Sequence, residues 1–141
     1  MLKTKFSDRV VVITGSGGAL DAALVKAFAE NGAQVALCCK PEEKPDTAAM
    51  EAYGDKVQIF ELNLLDFSSI EGSFRQVIER FGKVDILVNN PMGAFVDLER
   101  VPLHEVDLNA FIRVTDEWLK GMMRFPSFVR EIWEIERLEQ L

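Results

Sequence analysis

The sequence has no apolar stretch near the ~18 residues needed to span a bilayer. Its opening residues, MLKTKFSD, lack the apolar core of a secretory leader. Only two cysteines occur, Cys38 and Cys39, and they are neighbours. On a strand their side chains point to opposite faces, so they neither bond to each other nor found a disulfide framework. Together these absences read as a cytoplasmic protein. Histidine occurs once, and no set of His, Cys, Asp and Glu has metal-ligand spacing. The 16 basic residues are outnumbered by 23 acidic ones, for a net charge of −7. No basic cluster stands out, which argues against nucleic acid and anionic membranes as partners. There is no internal repeat and no low-complexity tract.

What is present suits one domain with one core: 141 residues, 48% hydrophobic and 28% charged. The chain is organised around Arg9 to Asn31. Val10, Val11, Val12, Ile13 and Thr14 form the β-branched run expected of a strand buried on both faces. Glycines follow at 15, 17 and 18. A helical stripe of Leu20, Ala23, Leu24, Ala27 and Phe28 comes next and stops at Asn31-Gly32. Strand, glycine turn and helix are the opening of a dinucleotide-binding βαβ unit, in which the helix N-terminus faces a pyrophosphate.

Beyond it, Gln34–Cys39 reads as a second strand, Thr47–Tyr53 as a short helix and Val57–Leu62 as a third strand. A helix with Ile70, Phe74, Val77, Ile78 and Phe81 inward follows, with Ser68 and Glu71 at capping-box spacing and Gly82 as its stop. Val84–Val88 is the fourth strand. The alternation predicts an α/β fold: a Rossmann-like sheet of about four parallel strands in order 3-2-1-4, with helices on both faces. The last third differs. Glu105–Arg124 reads as a helix with Leu108, Phe111, Ile112, Thr115, Trp118, Leu119, Met122 and Met123 on one stripe. Pro126 breaks it, and Ser127 caps a final helix to Gln140. His104 reads as a surface residue near a helix start, and Met122, Met123 and Trp118 as core.

Four partial motifs stand in order: Thr14-Gly15, Gly32-Ala33, Asn63-Leu64-Leu65-Asp66 and Asn89-Asn90. Their sequence over residues 6–93 resembles the N-terminal half of a short-chain dehydrogenase/reductase. The resemblance implies NAD or NADP as cofactor, bound by Thr14, Gly15, Ser16, Gly17, Gly18, Lys40, Asn63, Leu64 and Asn90. Gly15 and Gly17 would lie against the pyrophosphate, and Asn63 would accept from the adenine amino group. Cys39 stands where NAD-preferring members place an acid. Lys40 beside it would meet a 2′-phosphate, which tips the choice toward NADP. The family's asparagine in the helix after the fourth strand falls on Asn109 or, in another register, leaves Phe125 at its position.

The departures carry equal weight. Ala19 and Asp21 replace glycines of T-G-x-x-x-G-x-G, and a carboxylate at Asp21 opposes a phosphate. Tyr-x-x-x-Lys is absent: the single tyrosine, Tyr53, precedes the fourth strand, with Lys56 three residues on. No catalytic residue is therefore assigned, and whether the chain is an enzyme stays open. Three functions compete. The first is an NAD(P)-binding oxidoreductase domain, truncated and not catalytically self-sufficient. The second is a non-catalytic interaction or oligomerisation module. The third is one half of a split oxidoreductase. Residues 1–93 are read as the dinucleotide-binding core of a single domain and 94–141 as a helical oligomerisation segment. The family's dimerisation through helices after its fourth and fifth strands implies a homodimer or larger through residues 105–141, with Phe128 and Trp133 between chains.

Overall fold

The computed structural model describes residues 6–15, 19–42, 45, 47–90 and 101–139. Its centre is a four-stranded parallel sheet, β1 (Val10–Thr14), β2 (Gln34–Cys39), β3 (Val57–Glu61) and β4 (Ile86–Asn89). The strand order is β3-β2-β1-β4, as the alternation of strands and helices predicts. β1 is wholly buried, paired with β2 along its length and with β4 from Val11 to Thr14. A strand covered on both faces needs no polar alternation, which is why its sequence is an unbroken apolar run.

The pleat sorts β1 between two cores. Val11 and Ile13 join Val35 and Leu37 under Val25 and Ala29 of α1 (Ala19–Glu30). Val12 joins Ala36 and Cys38 on the other face. There it meets Ile70, Phe74 and Val77 of α3 (Phe67–Phe81) and Phe125 and Val129 of α4 (Leu108–Glu139). α2 (Thr47–Glu51) is a short helix that adds Met50 to the α1 side.

Local signals set the helix ends. Gly82 closes α3 with φ of 80° and donates its N–H to the Ile78 carbonyl at 2.7 Å, a left-handed cap that favours glycine. The N-cap of α3 is Asp66, whose carboxylate accepts from the Ser68 N–H at 3.0 Å. The capping box placed at Ser68 is thus two residues late: the better acceptor, a carboxylate, stands just ahead.

The C-terminal third departs most from its sequence reading. One helix runs from Leu108 to Glu139 with Pro126 inside it, in place of two. Ser127 does not cap a new helix; its hydroxyl donates to the Met123 carbonyl at 3.2 Å, one turn back. Phe125 and Val129, buried on either side of the proline, supply the packing that offsets its missing N–H. The face of α4 on the sheet is also different. Val114, Gly121, Phe125 and Val129 are buried, whereas Leu108, Phe111, Ile112, Leu119 and Met123 are exposed. At 3.6 residues per turn the buried row lies roughly a quarter-turn from the stripe read in the sequence. Gly121 allows the approach, since a Cβ there would meet Leu64 Cβ at 2.6 Å. The two residues assigned to an interchain seam have partners within the chain. Phe128 lies against Phe67 and Phe74 at 5.3 and 6.2 Å between ring centroids, and Trp133 donates its indole N–H to the Val84 carbonyl.

Candidate functional site

In an open parallel sheet a ligand crevice forms at the strand carboxyl ends, between the strands where the order reverses. Here those are β1 and β4, because the chain leaves β1 toward β2 and β3 and returns to β4 on the other side. The crevice ends in Thr14-Gly15 on one strand and Asn89-Asn90 on the other.

Gly15 has φ of 86°, a left-handed conformation suited to glycine, and its N–H donates to the Cys38 carbonyl at 2.8 Å. Thr14 is fully buried, and its hydroxyl accepts the Asn90 backbone N–H at 3.2 Å. The Asn90 side-chain amide donates to a carboxylate oxygen of Asp21, in the first turn of α1. Asp21 is 4% exposed and Asn90 is also buried. Three elements therefore converge on one polar cluster: the end of β1, the end of β4 and the N-terminus of α1. Read from the sequence, the Asp21 carboxylate opposes a phosphate; the structure buries it on the asparagine. Both residues are visible as motif departures or remnants, but their contact spans 69 positions and has no local signal.

The remaining site residues lie at neighbouring strand ends. Lys40 follows β2 and is half-buried. Asn63 follows β3; its backbone N–H donates to the Ser69 hydroxyl at 2.9 Å, and its side-chain carbonyl accepts the Leu65 N–H at 3.0 Å. One lone pair of that carbonyl is thus used locally, leaving the other for a ligand donor. Leu64 is buried against Gly121 of α4. Ser16, Gly17 and Gly18 lie outside the described residues. Tyr53 lines a cleft of about 220 Å³ with Ala22, Ala23, Val25, Lys26 and Met50, between α1 and the segment after α2. His104 is exposed, 3.3 Å from Glu105.

The thiol of Cys38 lies inside the sheet, and burial pushes its pKa up to about 12, with Cys39 beside it adding to the rise. It is a packing group with no nucleophilic character at neutral pH. Asp85, just before β4, faces away from the crevice's chemistry. Its carboxylate takes the Val10 N–H at 2.8 Å, Arg9 at 2.7 Å and Lys83 at 3.1 Å. Burial opposes its ionisation, but those donors outweigh it and hold the carboxyl below its usual range.

A sequence model of the family described as short chain dehydrogenase matches residues 9–133. The chain belongs to that family. Among its curated relatives, a 3-oxoacyl-[acyl-carrier-protein] reductase of Thermotoga maritima is 32% identical over 127 residues. Those residues are 89% of this chain and 50% of the relative. A galactitol 2-dehydrogenase of Agrobacterium fabrum is 31% identical over 128 residues, covering 91% of this chain and 48% of its own. The short-chain dehydrogenase fold recurs in solved structures. A 3-ketoacyl-(acyl-carrier-protein) reductase from Brucella melitensis complexed with NADH matches with a TM-score of 0.72 and 22% identity, over 89% of this chain and 50% of that one. An NAD+-bound xylitol dehydrogenase matches with a TM-score of 0.76 and 24% identity, over 89% and 48%. The chain thus spans about half the length of the relatives it matches.

Proposed function

We propose that this chain is an NAD(P)-binding Rossmann protein of the short-chain dehydrogenase family that does not complete a catalytic site by itself. The observation that carries the reading is the reversal of strand order between β1 and β4, with left-handed Gly15 and the buried polar residues Thr14 and Asn90 at the strand ends. Those features suit a dinucleotide, and Lys40, Asn63 and Leu64 continue the site toward an adenosine, with Lys40 favouring a 2′-phosphate. In this reading Ser16, Gly17 and Gly18 also belong to the cofactor site. Asp21 is the misfit: its buried carboxylate weakens the seat for a pyrophosphate without abolishing the adenosine half. Such a cofactor, when bound, supplies hydride exchange with a carbonyl or alcohol. The single tyrosine, Tyr53, sits at the α1–α2 cleft, and among the described residues none is placed in this reading as the acid for the alkoxide.

Titration of NADH and NADPH, followed by cofactor fluorescence, tests binding; we expect saturable binding, tighter for NADPH. Aldehydes and ketones added to the pure protein should give no oxidation above the cofactor's own rate. Absence of saturation with either nucleotide rejects the reading, and turnover by the pure chain rejects its second half.

A second reading, an assembly module on the same scaffold, rests on the outer row of α4. Leu108, Phe111, Ile112, Leu119 and Met123 lie on one stripe in water, more apolar surface than isolated exposed residues explain. It supports a homodimer or larger through residues 105–141. Sedimentation at micromolar concentration checks it: the parent should exceed monomer mass, and Ile112→Glu with Leu119→Glu should restore the monomer.

A further inference from the structure

β4 ends the sheet, and among the described residues no strand pairs with its outer edge. In a parallel sheet the backbone groups of successive residues face alternate edges. The Asp85 N–H donates inward to the Val10 carbonyl at 2.9 Å. The backbone groups of Val84, Ile86 and Val88 therefore face outward. Val84, two residues before β4, offers the outward acceptor just ahead of that edge, and it is taken: the Trp133 indole N–H donates to its carbonyl. The bond ties residues 49 positions apart. The indole N–H is a donor with no acceptor function. It stands where the amide of an incoming strand would stand.

The rest of α4 brings it there. Phe125, Val129 and Trp133 are spaced by four and share one helix row. The first two are buried, with Phe125 edge-on to Phe74 at 5.9 Å, and Trp133 is 43% exposed at the row's far end. The helix is thus fixed on the sheet face by its inner residues, and its last aromatic reaches the open edge.

That edge is of a dangerous kind. Val84 to Asn89 reads VDILVN: β-rich, without proline, and with one charge. The charge, Asp85, is already bound by Arg9, Lys83 and the Val10 amide and does not guard the outer side. We propose that Trp133 is an edge guard, its indole occupying the outward backbone acceptor just ahead of β4 so that a second copy of this chain does not pair with that edge strand to strand. A second copy is the occupant because two identical edges of this composition match each other residue for residue about a twofold axis. This contact is separate from any association through the outer row of α4, which ends at Met123, ten residues or about 15 Å before Trp133 along the helix axis.

The test uses the full chain. Trp133→Phe keeps an aromatic ring but removes the pyrrole part of the indole with its N–H; Trp133→Ala removes the ring as well. Hydrogen exchange is measured on peptides covering Val84 to Asn89, and sedimentation is followed over a concentration series. Loss of the bond should speed exchange there by roughly threefold to tenfold. It should also shift the chain to species larger than the parent's, whatever the parent's own state. Adding Val88→Pro removes one outward N–H, a substitution an edge strand tolerates, and should return the parent's mass. Unchanged exchange in Trp133→Phe overturns the proposal. So does faster exchange without added association, or added association that Val88→Pro leaves intact. If Trp133→Ala loses its far-ultraviolet helix signal, Trp133→Phe alone decides.

Discussion

Asp21 is the residue on which the cofactor reading turns. It replaces a glycine of the family's turn, and its carboxylate is engaged by the Asn90 amide. Asp21→Asn removes the charge and retains an acceptor for that amide, so the fold should be little changed. A buried charge is poorly screened, and removing it beside a phosphate is worth about 1 kcal/mol or more, or roughly fivefold in affinity. NADPH titration of Asp21→Asn should show at least that gain; equal affinity would mean that the phosphates lie elsewhere. Cys38 gives a second expectation at this scale. Its thiol is buried and pushed up to about 12, and Cys39 is buried beside it. Ellman's reagent at pH 8 should release almost no colour from the native protein within minutes, and two equivalents in denaturant. Position in the sequence told that these cysteines do not bond together. It could not tell that Asp21 and Asn90 do meet, because a contact across 69 residues depends on the sheet closing first.

Among the elements, α4 separates what periodicity reveals from what it hides. β1 and β2 were legible to the residue because burial on both faces leaves mainly apolar side chains between Val10 and Ile13 and between Val35 and Cys39. α4 was legible as a helix, but its inward face was not. Its stripe of large apolar residues is the obvious candidate, yet the sheet takes Val114, Gly121, Phe125 and Val129. The reason is steric: Leu64 rises from the loop after β3, and only a glycine lets the helix pass. Gly121→Ala tests this directly. Alanine in a helix should gain about 1 kcal/mol over glycine. Here the added methyl meets Leu64 Cβ at 2.6 Å, and overpacking of that kind costs about 1–3 kcal/mol. We expect net destabilisation in urea, with Leu64→Ala in the same background recovering part of it. A gain in stability would place the helix farther from the loop. Pro126 misled for a related reason: its rule is local, and the burial of its neighbours is not.

For the molecule as a whole, acid is the natural stress. Asp85 is held below its usual range by the donors that gather β1 and β4 at their starts. Asp66 is lowered as well, by the Ser68 hydroxyl and N–H at the head of α3. A carboxylate whose folded pKa lies below its unfolded value adds stability that is complete above the unfolded value. That stability is lost as pH falls through the folded one. The urea midpoint should therefore hold from neutrality down to about pH 4 and fall below it. Asp85→Asn should start from a lower midpoint and show a shallower acid limb; an identical limb would mean that its neighbours contribute nothing to the folded state.

Both tryptophans of the chain, Trp118 and Trp133, sit on α4, fifteen residues or about 22 Å apart along its axis. The sheet and the first three helices carry none. Ultraviolet-excited emission from this protein is therefore a signal from one helix, while circular dichroism averages over all of them. If α4 lifts from the sheet before the strands separate, the two signals will part during unfolding, and the emission will red-shift first. Emission from this protein thus reports the seating of α4 on the sheet.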